Sequence, residues 1–162
     1  MLLNFDFDTE GNDAITETYY VEIAKEIAKV AHAGQYDKGG KPYINHPETV
    51  ASLLDTTEEK VCGWLHDVLE DTDFNPEVLH RLFGDEVMEA LDALNHRPNE
   101  SWWNYIGRVA KNPLAIRVKL ADLAHNMDIS RIPNPGEKDY RRLDRYRMTF
   151  KYLTDKLNEY DE

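Results

Sequence analysis

Apolar residues recur at three- and four-residue intervals along most of the chain, and convincing runs of strict alternation are absent. The first such segment runs from about Asp13 to Ala33, with Tyr20, Ile23, Ala24, Ile27 and Val30 forming its apolar stripe. The following stretch, AGQYDKGGKPYINHP, is dense in turn formers and reads as a loop. Pro47 has the character of a first helical residue, which puts His46 at or near an N-cap. Another helix is expected to begin near Thr57 and to run through WLHDVLED. Asn75-Pro76 and Asn112-Pro113 repeat a cap-then-proline start, and Gly84 is a candidate stop. Segments around Ser101 to Lys111 and Ala115 to Ser130 fill the middle. The last helix, from about Lys138, carries Leu143, Tyr146, Phe150, Leu153 and Leu157 at helical spacing. The pattern predicts an all-α fold, a single helical bundle of about seven or eight helices over residues 1–162. RIPNPGEK reads as a short connection and not as a domain boundary.

Composition narrows the function classes. A chain of 162 residues, 41% hydrophobic and 10% aromatic, supports one core and excludes a disordered chain. A net charge of −12 argues against broad binding to nucleic acid or to an anionic membrane surface. It leaves room for a small anionic ligand in a locally basic pocket. The single cysteine, Cys62, cannot form an internal disulfide and fits a reducing cytoplasm. The N-terminal MLLNFDFDTE has neither the basic start nor the apolar length of a signal peptide or membrane span. Oligomeric state is left open.

Chemistry concentrates in WLHDVLED. On one continuous helix at ~100° per residue, His66, Asp67, Glu70 and Asp71 would share an arc of roughly 140°, opposite Val61, Cys62, Leu65, Val68 and Leu69. Such a face binds metals or moves protons, or is simply solvated acid. In KLADLAHNM, Asp122 and Asn126 share a helical face, with His125 at its margin. Asp122 sits among Val118, Leu120 and Leu123, where a carboxylate needs a metal or a buried partner such as Arg117 or Lys119. His46 is either a capping residue or a third contributor. Cys62, one turn before His66, reads as a core residue.

The order His46, His66-Asp67, Asp122, carried by HDVLED and KLADLAHNM, resembles the HD-domain superfamily of metal-dependent phosphohydrolases. AHAGQYDKGGKPYINHP is similar to the alarmone-hydrolase branch, the hydrolase part of RelA/SpoT-type proteins and their small stand-alone relatives. The resemblance runs from about Tyr20 to Leu153, within a motif-bearing core of about 20–155. It implies that His46, His66, Asp67 and Asp122 hold a metal, usually Mn2+, although such mixed donors accept other divalent ions. It implies that Glu70 and Asp71 activate and orient a water, and that Asn126 belongs to the substrate site. The implied reaction removes pyrophosphate from the 3′ position of guanosine tetra- or pentaphosphate. The chain length leaves no room for a nucleotide-transfer domain, so degradation and not synthesis is expected. Lys38 and Lys41 in the loop, and Arg145 on the last helix with Arg141 on the same face, are candidates for phosphate contacts.

Two positions depart from the family pattern. Asp37 stands where an arginine commonly helps hold the guanine base, and Leu123 stands where a basic residue often follows the aspartate. Asp37 would offer an acceptor to a base or a ribose hydroxyl, and Asp37→Arg is expected to strengthen guanine binding. The competing readings are hydrolysis of another nucleotide or of a dinucleotide cofactor, and a non-catalytic regulatory or antitoxin-like helical module. The intact Glu70 and Asp71 argue against the last.

Overall fold

The computed structural model describes residues 13–162. The N-terminal MLLNFDFDTE, and with it the expected lack of a targeting signal, lies outside the described residues. Among those residues the chain forms α1 (Asp13–Ala31), α2 (Asn45–Ser52), α3 (Thr57–Leu65), α4 (Val68–Asp71), α5 (Pro76–Leu94), α6 (Trp102–Val109), α7 (Pro113–Asn126), a 3-10 turn (Ile129–Arg131) and α8 (Glu137–Asp161). A single antiparallel bridge joins Tyr36 to Pro42 within the first loop. The all-α expectation holds. Among the described residues no helix is long and apolar enough to cross a membrane.

Helix starts follow local side-chain chemistry. Thr56 accepts from the Glu59 amide at 3.2 Å, and the Glu59 carboxylate accepts from the Asp55 and Thr56 amides, a reciprocal cap for α3. Asn75 and Asn112 accept from the Glu77 and Ala115 amides at 2.9 and 3.0 Å, and a proline follows each. Ser101 does the same for α6.

Several expectations need correction. WLHDVLED is not one helix: α3 ends at Leu65, and α4 begins only at Val68. Asp67, with ψ near −2°, turns the chain between them. Gly84 adopts φ 82° and ψ −175°, a region open to glycine alone, so the helical path kinks there and resumes at once toward Leu94. The segment expected to reach Ser130 stops at Asn126, because Asp128 caps the next turn by accepting from the Ser130 amide at 3.1 Å. His46 lies inside the first turn of α2, and Ile44 takes the cap position. Val30 is 72% exposed; the buried line of α1 runs instead through Ala24 and Ala28.

α3 forms the hub, packed against α1, α2, α5 and α7, while α7 also packs against α6 and α8. Leu65, Ile106, Ile116, Leu123 and Leu153 are fully buried in the shared core, each worth about 1.5–3 kcal/mol of transfer free energy. Cys62 belongs to the same core as a free thiol. The α2–α3 crossing is tight at Gly63, where an added Cβ would meet Leu54 Cδ1 at 2.9 Å and the Ala51 backbone at 3.0–3.1 Å. That approach brings the start of α2, with His46, against the end of α3, with His66.

Gly63→Ala should therefore force α2 outward, costing about 1–3 kcal/mol of stability as overpacked sites do. Chemical denaturation would measure the loss. An unchanged midpoint would mean that the two helices separate freely.

Candidate metal centre

His46, His66, Asp67 and Asp122 come from four places: the first turn of α2, the residue closing α3, the turn before α4, and the buried face of α7. Their donor atoms converge. His46 Nε2 lies 2.9 Å from Asp122 Oδ1, 3.2 Å from His66 Nε2 and 3.7 Å from Asp67 Oδ2. His66 Nε2 lies 3.1 Å from Asp67 Oδ2 and 3.5 Å from Asp122 Oδ1. Donors held at about 2.0–2.2 Å from one ion, at tetrahedral or octahedral angles, stand about 2.8–3.6 Å apart. Four of these five separations match that span and His46 to Asp67, at 3.7 Å, falls just beyond it, so His46, His66 and Asp122 fit a divalent cation with Asp67 at the edge of the group. His46, His66 and Asp122 are all buried.

The two explanations open for Asp122 coexist. Its Oδ2 accepts from Lys119 Nζ at 2.7 Å, while Oδ1 faces both imidazoles and accepts from Asn126 Nδ2 at 2.9 Å. Burial opposes both charges, yet Lys119 and the imidazoles hold the Asp122 carboxyl well below the usual range, and Asp122 holds the lysine ammonium above its own. The ammonium also lies over the Trp102 and Tyr105 rings, 5.3 and 5.2 Å from their centroids. At His66 burial again disfavours charge, but Asp67 and Asp122 outweigh it and hold the imidazolium well above its ordinary pKa. A bound cation would displace that proton.

Outer contacts aim the donors. His66 Nδ1 donates to the Gly63 carbonyl at 2.7 Å, leaving Nε2 for the cluster. Tyr43 donates its hydroxyl to Asp67 Oδ2 at 2.5 Å; burial, then the Asp67 charge, keeps the phenol protonated. The Gly63 carbonyl is only three residues from His66, whereas Tyr43 reaches Asp67 across 24 positions and was not visible in the sequence. His125 lies beside His46 with the two rings nearly parallel, and it is pushed down to about 4 by burial, then by Arg131 and His46.

The break at residues 66–67 undoes the single acidic face expected of WLHDVLED. His66 and Asp67 serve the cluster, and Glu70 and Asp71 stay exposed on α4. Carboxylate oxygens of Asp67, Glu70 and Asp71 lie within 4.8 Å of one another. Partial burial, then the Asp67 and Asp71 charges, pushes Glu70 up to about 7, and burial followed by Asp67 raises Asp71. A cation in the cluster would draw both down. The end of α4 is fixed by a strut: Gln35 Nε2 donates to the Asp71 carbonyl at 3.1 Å, and Gln35 Oε1 accepts from His32 Nδ1 at 2.8 Å. AHAGQ thus has a physical task at the acidic pair.

A cavity of about 270 Å³ opens from His46 and Asn126, with Lys38, Arg131 and Arg142 on its wall. Lys41 and Arg145 are outside this lining. Arg145 lies 4.2 Å over the Trp102 ring, which Thr149 fixes through a 2.9 Å hydrogen bond, so Arg142 is the arginine of α8 that reaches the cavity. Arg131, a lone arginine within a supposed connection, carried no sequence signal.

Asp37 does not present a free acceptor. Its Oδ1 accepts from the Gly39 and Lys41 amides, both at 2.9 Å, and Oδ2 lies 3.7 Å from Arg131 Nη2. Two other acids on the wall behave alike: Asp128 accepts from the Ser130 amide, and Asp139 from the Gly136 amide. Leu123, the other departure, is fully buried in the core.

No family model matches the chain. It is 35% identical over 136 residues to a probable GTP pyrophosphokinase of Mycobacterium leprae, covering 75% of this chain and 17% of that protein. It is 36% identical over 116 residues to the guanosine-3′,5′-bis(diphosphate) 3′-pyrophosphohydrolase of Haemophilus influenzae, covering 62% of this chain and 17% of that protein. A solved structure described as a metazoan orthologue of SpoT that hydrolyses ppGpp and plays a role in starvation responses superposes with a TM-score of 0.69. It shares 25% identity, with 85% of each chain covered. The chain spans less than a fifth of the length of these curated relatives. With that kinship and an all-helical fold closing on two histidines and two aspartates, the chain belongs to the RelA/SpoT-like HD-domain family.

Proposed function

We propose that this chain is a Mn2+-dependent phosphohydrolase that removes the 3′-pyrophosphate of guanosine tetra- or pentaphosphate. One observation carries the reading: the His46–His66–Asp67–Asp122 cluster stands between a cavity bearing Lys38, Arg131 and Arg142 and the exposed carboxylates Glu70 and Asp71. The Haemophilus relative named for this reaction, and the metazoan structure whose description includes ppGpp hydrolysis, support the choice of substrate. The buried thiol of Cys62 and the net charge of −12 support a cytoplasmic enzyme acting on a small nucleotide, apart from nucleic acid and membrane.

His46, His66, Asp67 and Asp122 would hold a cation that, when bound, would polarise a phosphoryl oxygen as a Lewis acid and lower the pKa of a water. Glu70 or Asp71 receives the one proton released by the attacking water, on the Asp67 side of the cluster. The water oxygen joins the phosphorus attached to the ribose 3′ oxygen, that P–O bond breaks, the 3′ oxygen takes a proton, and pyrophosphate leaves. Lys38, Arg131 and Arg142 balance phosphate charge in the cavity, and the Tyr36 and Tyr146 rings offer apolar faces to the nucleoside. Asp37, engaged by two amides and facing Arg131, does not confront incoming phosphate as a free carboxylate.

The purified protein should carry about one divalent ion per chain, and added Mn2+ should raise its unfolding temperature in a concentration-dependent way. Asp67→Asn keeps an acceptor for Tyr43 but loses the ligand charge, so metal content should drop and the thermal gain should vanish. Full occupancy in that variant, by elemental analysis, would remove Asp67 from the ligand set.

Glu70→Gln and Asp71→Asn should each keep fold and metal while turnover falls by roughly two to four orders of magnitude. The assay is release of GDP and pyrophosphate with Mn2+, beside mononucleotides and NADPH. Absence of pyrophosphate from wild type, with brisk phosphate release from another compound, would discard the alarmone and keep the hydrolase.

Asp37→Arg should loosen the 34–46 loop and raise KM, whereas Asp37→Asn, which keeps the amide-accepting oxygen, should stay near wild type. Tighter nucleotide binding by the arginine variant would show that the clasp contributes nothing.

A further inference from the structure

The two histidines of the cluster are oriented by unequal means. His66 Nδ1 faces the Gly63 carbonyl, which only accepts, so its tautomer is fixed with Nε2 free. His46 has no carbonyl in that position. Its Nδ1 meets Nδ1 of His125 at 2.7 Å, and the two rings lie nearly parallel, 10° apart with centroids at 5.0 Å. An imidazole nitrogen either donates or accepts, so this contact is compatible with His46 in either tautomer.

Only one tautomer serves a cation. Nε2 of His46 is the atom that points at Asp122 and His66, and it must offer a lone pair there. The ring proton then sits on Nδ1, in a side chain that is 4% exposed, and needs an acceptor. We propose that His125 is the positioning residue for His46, accepting its Nδ1–H and so selecting the tautomer that binds the cation. This rests on the reading of the cluster as a divalent-metal site.

The backbone makes His125 suited to the task. It occupies the last turn of α7, three residues after Asp122, so one helix carries a ligand and the partner of another ligand. Its carbonyl accepts from Arg131 Nη1 at 3.1 Å and from the Asp128 amide at 3.2 Å, which pins the turn from which the ring projects. The contact spans 79 positions of sequence and joins α2 to α7.

Two variants of the full-length chain separate acceptor from ring. His125→Phe keeps an aromatic ring at the position and has no acceptor; His125→Asn loses the ring but places Oδ1 near the site of Nδ1. Mn2+ affinity is measured by titration, and the protonated ring nitrogen of His46 is assigned by 15N NMR with diamagnetic Zn2+. Wild type should show Nδ1–H at His46. The phenylalanine variant should bind Mn2+ about 10–100-fold more weakly, the usual cost of losing an outer partner of a metal ligand, and the asparagine variant should recover most of that loss. Wild-type affinity in His125→Phe, or equal losses in both folded variants, overturns the proposal while leaving the metal site intact. An Nε2–H signal at His46 in the Zn2+-loaded wild type overturns it as well. No cation uptake by wild type rejects the metal reading, and the proposal with it.

Discussion

Two carboxylates and two imidazoles share a space in which donor atoms stand only 2.9–3.7 Å apart. Asp67 and Asp122 repel across it, and burial removes the water that would screen them. Lys119 supplies one compensating charge, held by Asp122 on one side and by the Trp102 and Tyr105 rings on the other. The His66 imidazolium, held by both carboxylates, supplies a second, and a divalent ion would take its place. Much of the surrounding architecture serves to hold these groups in place.

The helices near the cluster bear the marks of that demand. α3 stops at Leu65 so that His66 and Asp67 can turn inward, and α4 restarts for a single turn that carries Glu70 and Asp71. Gly63 has two tasks: lacking a side chain, it lets α2 close on α3, and its carbonyl orients His66. Tyr43 and Gln35, both from the first loop, tie Asp67 and the end of α4 to that loop. Packing and chemistry are therefore coupled here, since displacement of α2 or the loop would move a member of the cluster or the acidic pair.

What could be read in the sequence was what depends on near neighbours. Thr56, Asn75 and Asn112 cap helices through amides two or three residues away, so their signals were plain. The grouping of His46, His66, Asp67 and Asp122 came from the resemblance to the HD-domain superfamily, while residue spacing alone left His46 open as a capping residue. The break after Leu65 was not, since nothing about His66 or Asp67 forbids a helix; it is accompanied by contacts to Tyr43, His46 and Asp122 from distant segments. Arg145 and Arg142 look equivalent on an amphipathic helix, and only the position of Trp102 separates them. At Asp37 the resemblance drew attention to a missing arginine, while the local turn D-K-G-G-K, with its amides at 2.9 Å, was the more informative feature.

The cavity wall mixes three basic residues, Lys38, Arg131 and Arg142, with three acids, Asp37, Asp128 and Asp139. Two of those bases already face acids, Arg131 with Asp37 at 3.7 Å and Arg142 with Asp139 at 3.9 Å. An incoming polyanion therefore competes with carboxylates that the protein carries itself, and it approaches a chain whose net charge is −12. Beyond roughly 8–10 Å, the screening length at ordinary salt, the protein offers such a molecule no general attraction. Orthophosphate or a bare polyphosphate would gain little by exchanging one ion pair for another. A ligand that also filled the cavity would not depend on that exchange of ion pairs alone.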